Sequence, residues 1–141
     1  MIASGEKIGT FALTETNGTP KPSNISTEEN GLKLTGTKSP VSDGQSADYI
    51  IVAANSDSNK DANSLSLYII DKNQEGVELS ELETIDPTRP AFTVNLKAAK
   101  CEMLGEKANG WNMIENIFNR AAVLFSFEQV GGAQVSLDEA K

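Results

Sequence analysis

Apolar residues in this chain change their spacing close to residue 105, and that change constrains the fold more than any other feature. Before it, short runs alternate with a period of two. Ile8, Thr10, Ala12 and Thr14 oppose Gly9, Phe11 and Leu13, and Leu65, Leu67 and Ile69 oppose Ser66, Tyr68 and Ile70. Such runs, rich in β-branched and aromatic residues, read as strands. From Gly110 onward, Trp111, Ile114, Ile117, Phe118, Ala121, Leu124 and Phe125 recur at steps of three and four, the spacing of one helix face. The chain therefore divides into a β region, 1–106, and a helical region, 107–141.

Within the β region the turn residues mark the strands. A first strand over Lys7–Glu15 ends in a loop, Thr16–Ser23, because Asn17-Gly18, Pro20 and Pro22 stop pairing. Glu29-Asn30-Gly31 predicts a hairpin between Ile25–Glu28 and Leu32–Thr35. A strand and turn follow over Gly36–Gly44. The nearly continuous apolar run Ala47–Asn55 predicts a central strand buried on both faces. After the polar stretch Asn55–Ser64 come Leu65–Asp71, a solvent-facing strand Val77–Thr84, a rigid corner at Asp86-Pro87-Thr88-Arg89-Pro90, then Phe92–Lys100 and Cys101–Leu104. The expected fold is mainly β: an antiparallel β-barrel or orthogonal β-sandwich of about eight strands, followed by a long C-terminal helix. Gly131-Gly132 leaves one helix or two open, and each glycine costs about 1 kcal/mol relative to alanine there, which close approach of another helix would offset.

Composition narrows the function classes. With 141 residues and 38% hydrophobic content, one domain with a moderate core is expected. Net charge is −8 and the basic residues are scattered, so a nucleic-acid backbone has no patch to bind. Cys101 is the only cysteine and histidine is absent. No internal disulfide can form, and an imidazole-ligated metal site is excluded. Asp57, Asn59 and Asp61 imitate the start of a calcium loop, but Ala62 and Tyr68 stand where glycine and glutamate are needed. No apolar run approaches the roughly 20 residues of a membrane span, and the chain is expected to be intracellular.

Two strands end in a hydroxyl-bearing residue followed by a turn: Thr14 before Glu15, and Ser42 before Asp43-Gly44. Together they could wall one side of a flat polar ring in a mostly apolar pocket. At these residues the sequence resembles the acyl-CoA dehydrogenase flavoprotein family. Phe11-Ala12-Leu13-Thr14-Glu15 is similar to its aromatic-x-x-Thr-Glu strand, and Gly36–Gly44 to its Gly-x-Lys-x-(Trp)-(Ile/Val)-(Thr/Ser)-x-Gly strand. Three further pieces follow in family order: Ala47–Ala54, Cys101–Glu106, and Arg120 followed by Gly131–Ala140.

The resemblance implies the family's middle β-domain over 1–106 and the first helix of its C-terminal helical domain over 107–141, with Met1 placed at an internal position. It implies FAD, held by Phe11, Leu13, Thr14, Pro40, Val41 and Ser42, and a substrate-binding loop at Thr19 and Pro20. Pro40 replaces the family's tryptophan, and Pro20 a serine. The implied reaction is α,β-dehydrogenation of an acyl-CoA thioester. A carboxylate takes the α-proton while a hydride passes to the flavin. Asn119 stands before Arg120, where some members carry the catalytic glutamate, so this chain alone is expected to be inactive. Implied partners are the acyl-CoA substrate, electron-transfer flavoprotein or a similar acceptor, and a second copy through the C-terminal helix. The implied compartment is the bacterial cytoplasm or the mitochondrial matrix. Alternatives are a flavin monooxygenase or acyl-CoA oxidase, and a β-barrel interaction module that binds no flavin.

Overall fold

The computed structural model describes residues 2–15, 19–86 and 88–141. Eight strands precede one helix: β1 Gly9–Ala12, β2 Glu28–Glu29, β3 Lys33–Ser42, β4 Tyr49–Asn55, β5 Leu65–Asp71, β6 Val77–Leu82, β7 Ala91–Lys100, β8 Glu102–Leu104 and α1 Gly110–Glu139, with a 3-10 turn at Pro22–Asn24. Residues 1–111 and 112–141 form two compact units.

The strands make one sheet in the order β6-β7-β3-β2-β4-β5-β8. Among the described residues β6 and β8 end this path without pairing with each other, so the sheet is not closed, where a barrel or an orthogonal sandwich was expected. Most pairs are antiparallel, but two are parallel: β1 with β4, and β2 with β4 at Glu28 and Asn55. One edge of β4 takes β5, and the other takes β1 along Tyr49–Val52 and β2 at Asn55. Beside β4, β1 is held at Asp48, whose carboxylate accepts from the Ile8 N–H at 2.9 Å and Lys7 Nζ at 2.8 Å.

Ala12, Val41, Ile50, Val52, Tyr68, Val94 and Leu96 share one buried cluster. β7 and β5 are separated by three strands along the sheet, so their meeting in one core requires the sheet to curl over itself. Burying such a side chain contributes about 2 kcal/mol, enough to keep an open sheet folded over. β4 is buried almost throughout, as its apolar run predicts, and β6 is half exposed.

The hairpin forms, but its turn is shifted. Asn30 and Lys33 exchange both backbone hydrogen bonds, and the central residues are Gly31 and Leu32, at φ +61° and +59°. Two positive φ values make this the mirror-image turn that matches strand twist. The expected separate strands at Leu32–Thr35 and Gly36–Ser42 are one ten-residue strand, bent by register shifts between Leu34 and Gly36 and between Lys38 and Val41. The corner at Asp86 is an Asx turn, the carboxylate accepting from Thr88 N–H and Oγ1 at 2.9 and 2.6 Å. Pro87, Met1 and the Asn17-Gly18 turn lie outside the described residues.

α1 is a single thirty-residue helix that runs through Gly131-Gly132. Among the described residues nothing lies within 4 Å of a side chain built at either glycine, so none of them makes the close approach of another helix that would offset their cost. Ahead of the helix, Ser66 Oγ accepts from Ala108 N–H at 2.9 Å. Gly110 sits so close to β5 that a Cβ would come 2.9 Å from the Leu65 carbonyl oxygen.

Candidate functional site: the edge between the first and third strands

β1 and the residues after it run beside the second half of β3, and hydroxyls fasten the two. Thr14 Oγ1 donates to the Pro40 carbonyl at 3.0 Å, Ser39 N–H donates to the Thr14 carbonyl at 2.9 Å, and Thr10 Oγ1 donates to the Ser42 carbonyl at 2.6 Å. Thr14 therefore lies opposite Pro40, and Ser42 opposite Thr10. The two strand tips thus lie along one edge. Thr14 is half-buried, and Pro40 and Ser42 are exposed.

The other expected flavin contacts divide by burial. Phe11 is half-buried at the same edge. Leu13 and Val41 are 6% and 0% exposed, so their side chains belong to the interior and only their backbone can face a ligand. Thr19 is exposed and Pro20 half-buried. The Thr19 carbonyl accepts from Asn24 Nδ2 at 3.1 Å, which ties the end of the loop to the 3-10 turn.

Behind Thr14 lies a buried charge pair that spacing alone does not reveal. Lys38 Nζ, with no exposed surface, donates to Glu15 Oε1 at 2.8 Å and to the Leu13 carbonyl at 3.2 Å. The same Glu15 oxygen accepts from Thr27 N–H at 2.9 Å and Thr27 Oγ1 at 2.6 Å. Its second oxygen accepts from Ser26 N–H at 2.7 Å and from the Ser26 hydroxyl. Burial pushes the Glu15 carboxyl up, but Lys38, Ser26 and Thr27 outweigh it and hold the group at about 2. Burial draws Lys38 down to about 8 against the pull of Glu15, so both groups are charged at neutral pH. Both residues stand in the two family-like strands, and the signal that could have found them is a charge placed inside a strand pattern.

Gly36 admits this arrangement. At φ +152° it lies against Thr27, and a Cβ there would stand 2.5 Å from Thr27 Oγ1 and 2.8 Å from Thr27 Cα. Any side chain would push Thr27 off Glu15.

A cleft of about 990 Å³ lies elsewhere, bordered by Leu32, Tyr49, Ile69, Ile70 and Cys101, and none of the eight expected site residues lines it. Burial, with Glu29 nearby, pushes the Cys101 thiol up to about 11, which suits a buried structural residue and not a nucleophile. Among the described residues no group of acidic, cysteine or histidine side chains could hold a metal ion. No described helix is long and apolar enough to cross a membrane.

Comparison with known proteins places this edge in a family. The model of the acyl-CoA dehydrogenase middle domain matches residues 10–101, a span that holds both hydroxyl-tipped strands. A glutaryl-CoA dehydrogenase of Desulfococcus multivorans is 30% identical over 99% of this chain and 38% of its own length. A 3-(aryl)acrylate reductase of Clostridium sporogenes is 29% identical over 96% of this chain and 38% of its own length. The crystal structure of an acyl-CoA dehydrogenase from Geobacillus kaustophilus superposes with a TM-score of 0.72 at 25% identity, covering 80% of this chain and 33% of that one. The chain thus spans 38% of the length of the two curated relatives. It belongs to the acyl-CoA dehydrogenase family, whose middle domain its residues 10–101 form.

Proposed function

We propose that the edge between β1 and β3 is the flavin-facing wall of an FAD-dependent enzyme acting on acyl-CoA thioesters, with α,β-dehydrogenation as the reaction. The observation that carries this reading is the joining of Thr14 and Ser42 on one edge through the hydroxyl-to-carbonyl bonds of Thr14 and Thr10. Hydroxyls and strand backbone suit the nitrogens and carbonyls of a flat ring; beside Thr14, Glu15 and Lys38 are paired and withdrawn from water, and beside Ser42 the exposed Asp43 is paired with Arg89 at 3.2 Å. The residues present therefore fit the ring of such a cofactor.

When bound, FAD supplies the hydride acceptor. The chain supplies orientation. Thr14 Oγ1, its hydrogen committed to Pro40, keeps lone pairs free to accept, and it can donate after rotating. The exposed Ser42 hydroxyl can do either. Leu13 and Val41 act through backbone, while Phe11 and the ring of Pro40 offer apolar surface. Thr19 and Pro20 border the acyl-CoA side, with the residues between them and Glu15 outside the described set. Electron-transfer flavoprotein, or an acceptor like it, is the proposed redox partner, and a second copy of the chain is the proposed cover for α1.

Titrating the chain with FAD tests this reading, with flavin fluorescence and visible circular dichroism as readouts. Thr14→Val and Ser42→Ala, each losing one hydroxyl, should weaken binding about five- to tenfold without changing the far-UV spectrum. Absence of FAD binding, or equal binding by all three proteins, would overturn it.

A further inference from the structure

The buried pair behind Thr14 has a form that stability alone does not explain. Taking a lysine and a carboxylate out of water costs more than their attraction returns in many proteins, and well-packed apolar residues of similar volume are often as good or better. Here Lys38 is fully buried and the Glu15 side chain is 8% exposed, yet the Glu15 carboxylate accepts from five donors on two other segments, so that three segments meet at it. Those segments are the exit of β1, the approach to β2, and β3.

The order of contacts along β3 is telling. Lys38 holds the Leu13 carbonyl and the Glu15 carboxylate, Ser39 N–H holds the Thr14 carbonyl, and the Pro40 carbonyl holds the Thr14 hydroxyl. Three successive residues of one strand grip three successive residues of the other, and the middle one gripped is Thr14. Ser26 and Thr27 close the far side, on ground that Gly36 leaves open.

We infer that Lys38 and Glu15 are positioning residues: they fix the backbone on either side of Thr14, and so set where its hydroxyl stands against a flavin ring. This inference rests on the flavin reading above. Neither side chain touches the ring; both act through Thr14.

The test uses the whole chain with Glu15→Gln and Lys38→Met combined, because either change alone would leave an unpaired buried charge and confuse misfolding with mispositioning. Hydrogen exchange by mass spectrometry reads the strand without any ligand. The Ser39 amide, which donates to the Thr14 carbonyl at 2.9 Å, should exchange about tenfold faster, the loss expected when the neighbouring hydrogen bonds to a charged group are removed, while β4 and β5 stay protected. FAD titration reads the consequence: about tenfold weaker binding and an altered visible circular dichroism of the flavin.

Unchanged exchange at Ser39 would overturn the inference, whatever happens to FAD. So would faster exchange with unchanged FAD affinity and spectrum, because Thr14 would then not need the pair. If exchange rises locally but the unsubstituted chain binds no FAD, the flavin reading has failed, and the positioning role falls with it. Lost protection throughout β4 and β5 would mark the pair as a general fold element, and would also overturn the inference.

Discussion

Glu15 directly follows Thr14 at the proposed ring site, and its surroundings keep it from serving as a base. Its five donors, against the upward push of burial, hold it at about 2, far below the range in which it could take a proton from carbon at neutral pH. The same depression has a consequence for stability. A carboxyl whose folded pKa lies below its ordinary 4.5 stabilises the fold fully above 4.5, and that contribution, about 3 kcal/mol, is lost as pH falls towards 2. Glu15→Gln should thus be less stable than the parent at neutral pH, yet lose less stability between pH 5 and pH 2. Chemical denaturation at several pH values checks this. Thr14 and Ser42 were legible in the sequence because each closes an alternating run just before a turn. Glu15 and Lys38 were not, since the register shift between Lys38 and Val41 breaks the period of two. Lys38, Ser39 and Val41 all turn inward, where strict alternation would have sent Ser39 out.

At the level of elements, the strands were readable and their partners were not. Turn residues placed six of the eight strands closely, but the parallel pairing of β1 with β4 leaves no local mark, because nothing near Gly9 specifies Tyr49. β3 was read as two strands, one from the hairpin and one from the Gly36–Gly44 run; Gly36 lies inside a single strand and serves as the close approach of Thr27. The helix was legible from its spacing, and its surface explains why self-association is proposed. Leu124 and Phe127 are 71% and 74% exposed, and Phe125 and Val130 are also uncovered. An α-helix apolar on several sides is ordinarily buried among others. Covering each such side chain contributes about 2 kcal/mol, so Leu124→Glu combined with Phe127→Glu should shift the chain from oligomer to monomer. Sedimentation velocity reads that shift, with helix content by circular dichroism as the control. A monomeric parent would remove the proposed role.

For the whole molecule, the proposed reaction needs more chemistry than these residues supply. Removal of an α-proton requires a free carboxylate. Asn119 has none to offer, since an amide does not take up that proton, and Glu15 is locked away. The purified chain, saturated with FAD, should therefore show no flavin reduction by any acyl-CoA; measurable bleaching of the flavin by a thioester would contradict this. Acidic net charge and the absence of histidine narrowed the function classes, while the open path of the sheet was hidden because curling depends on contacts between strands far apart in sequence. That same topology sets an order of assembly. Gly9 lies opposite Tyr49, forty positions further on, with β2 and β3 between them, whereas β4 with β5 and β6 with β7 join near neighbours. Long closures are entropically unfavourable and form slowly. β3 and β7 close over a still longer stretch, Lys33 lying opposite Lys100, so during refolding the two pairings that build the proposed ring-facing wall, β1 on β4 and β3 on β7, are the late steps.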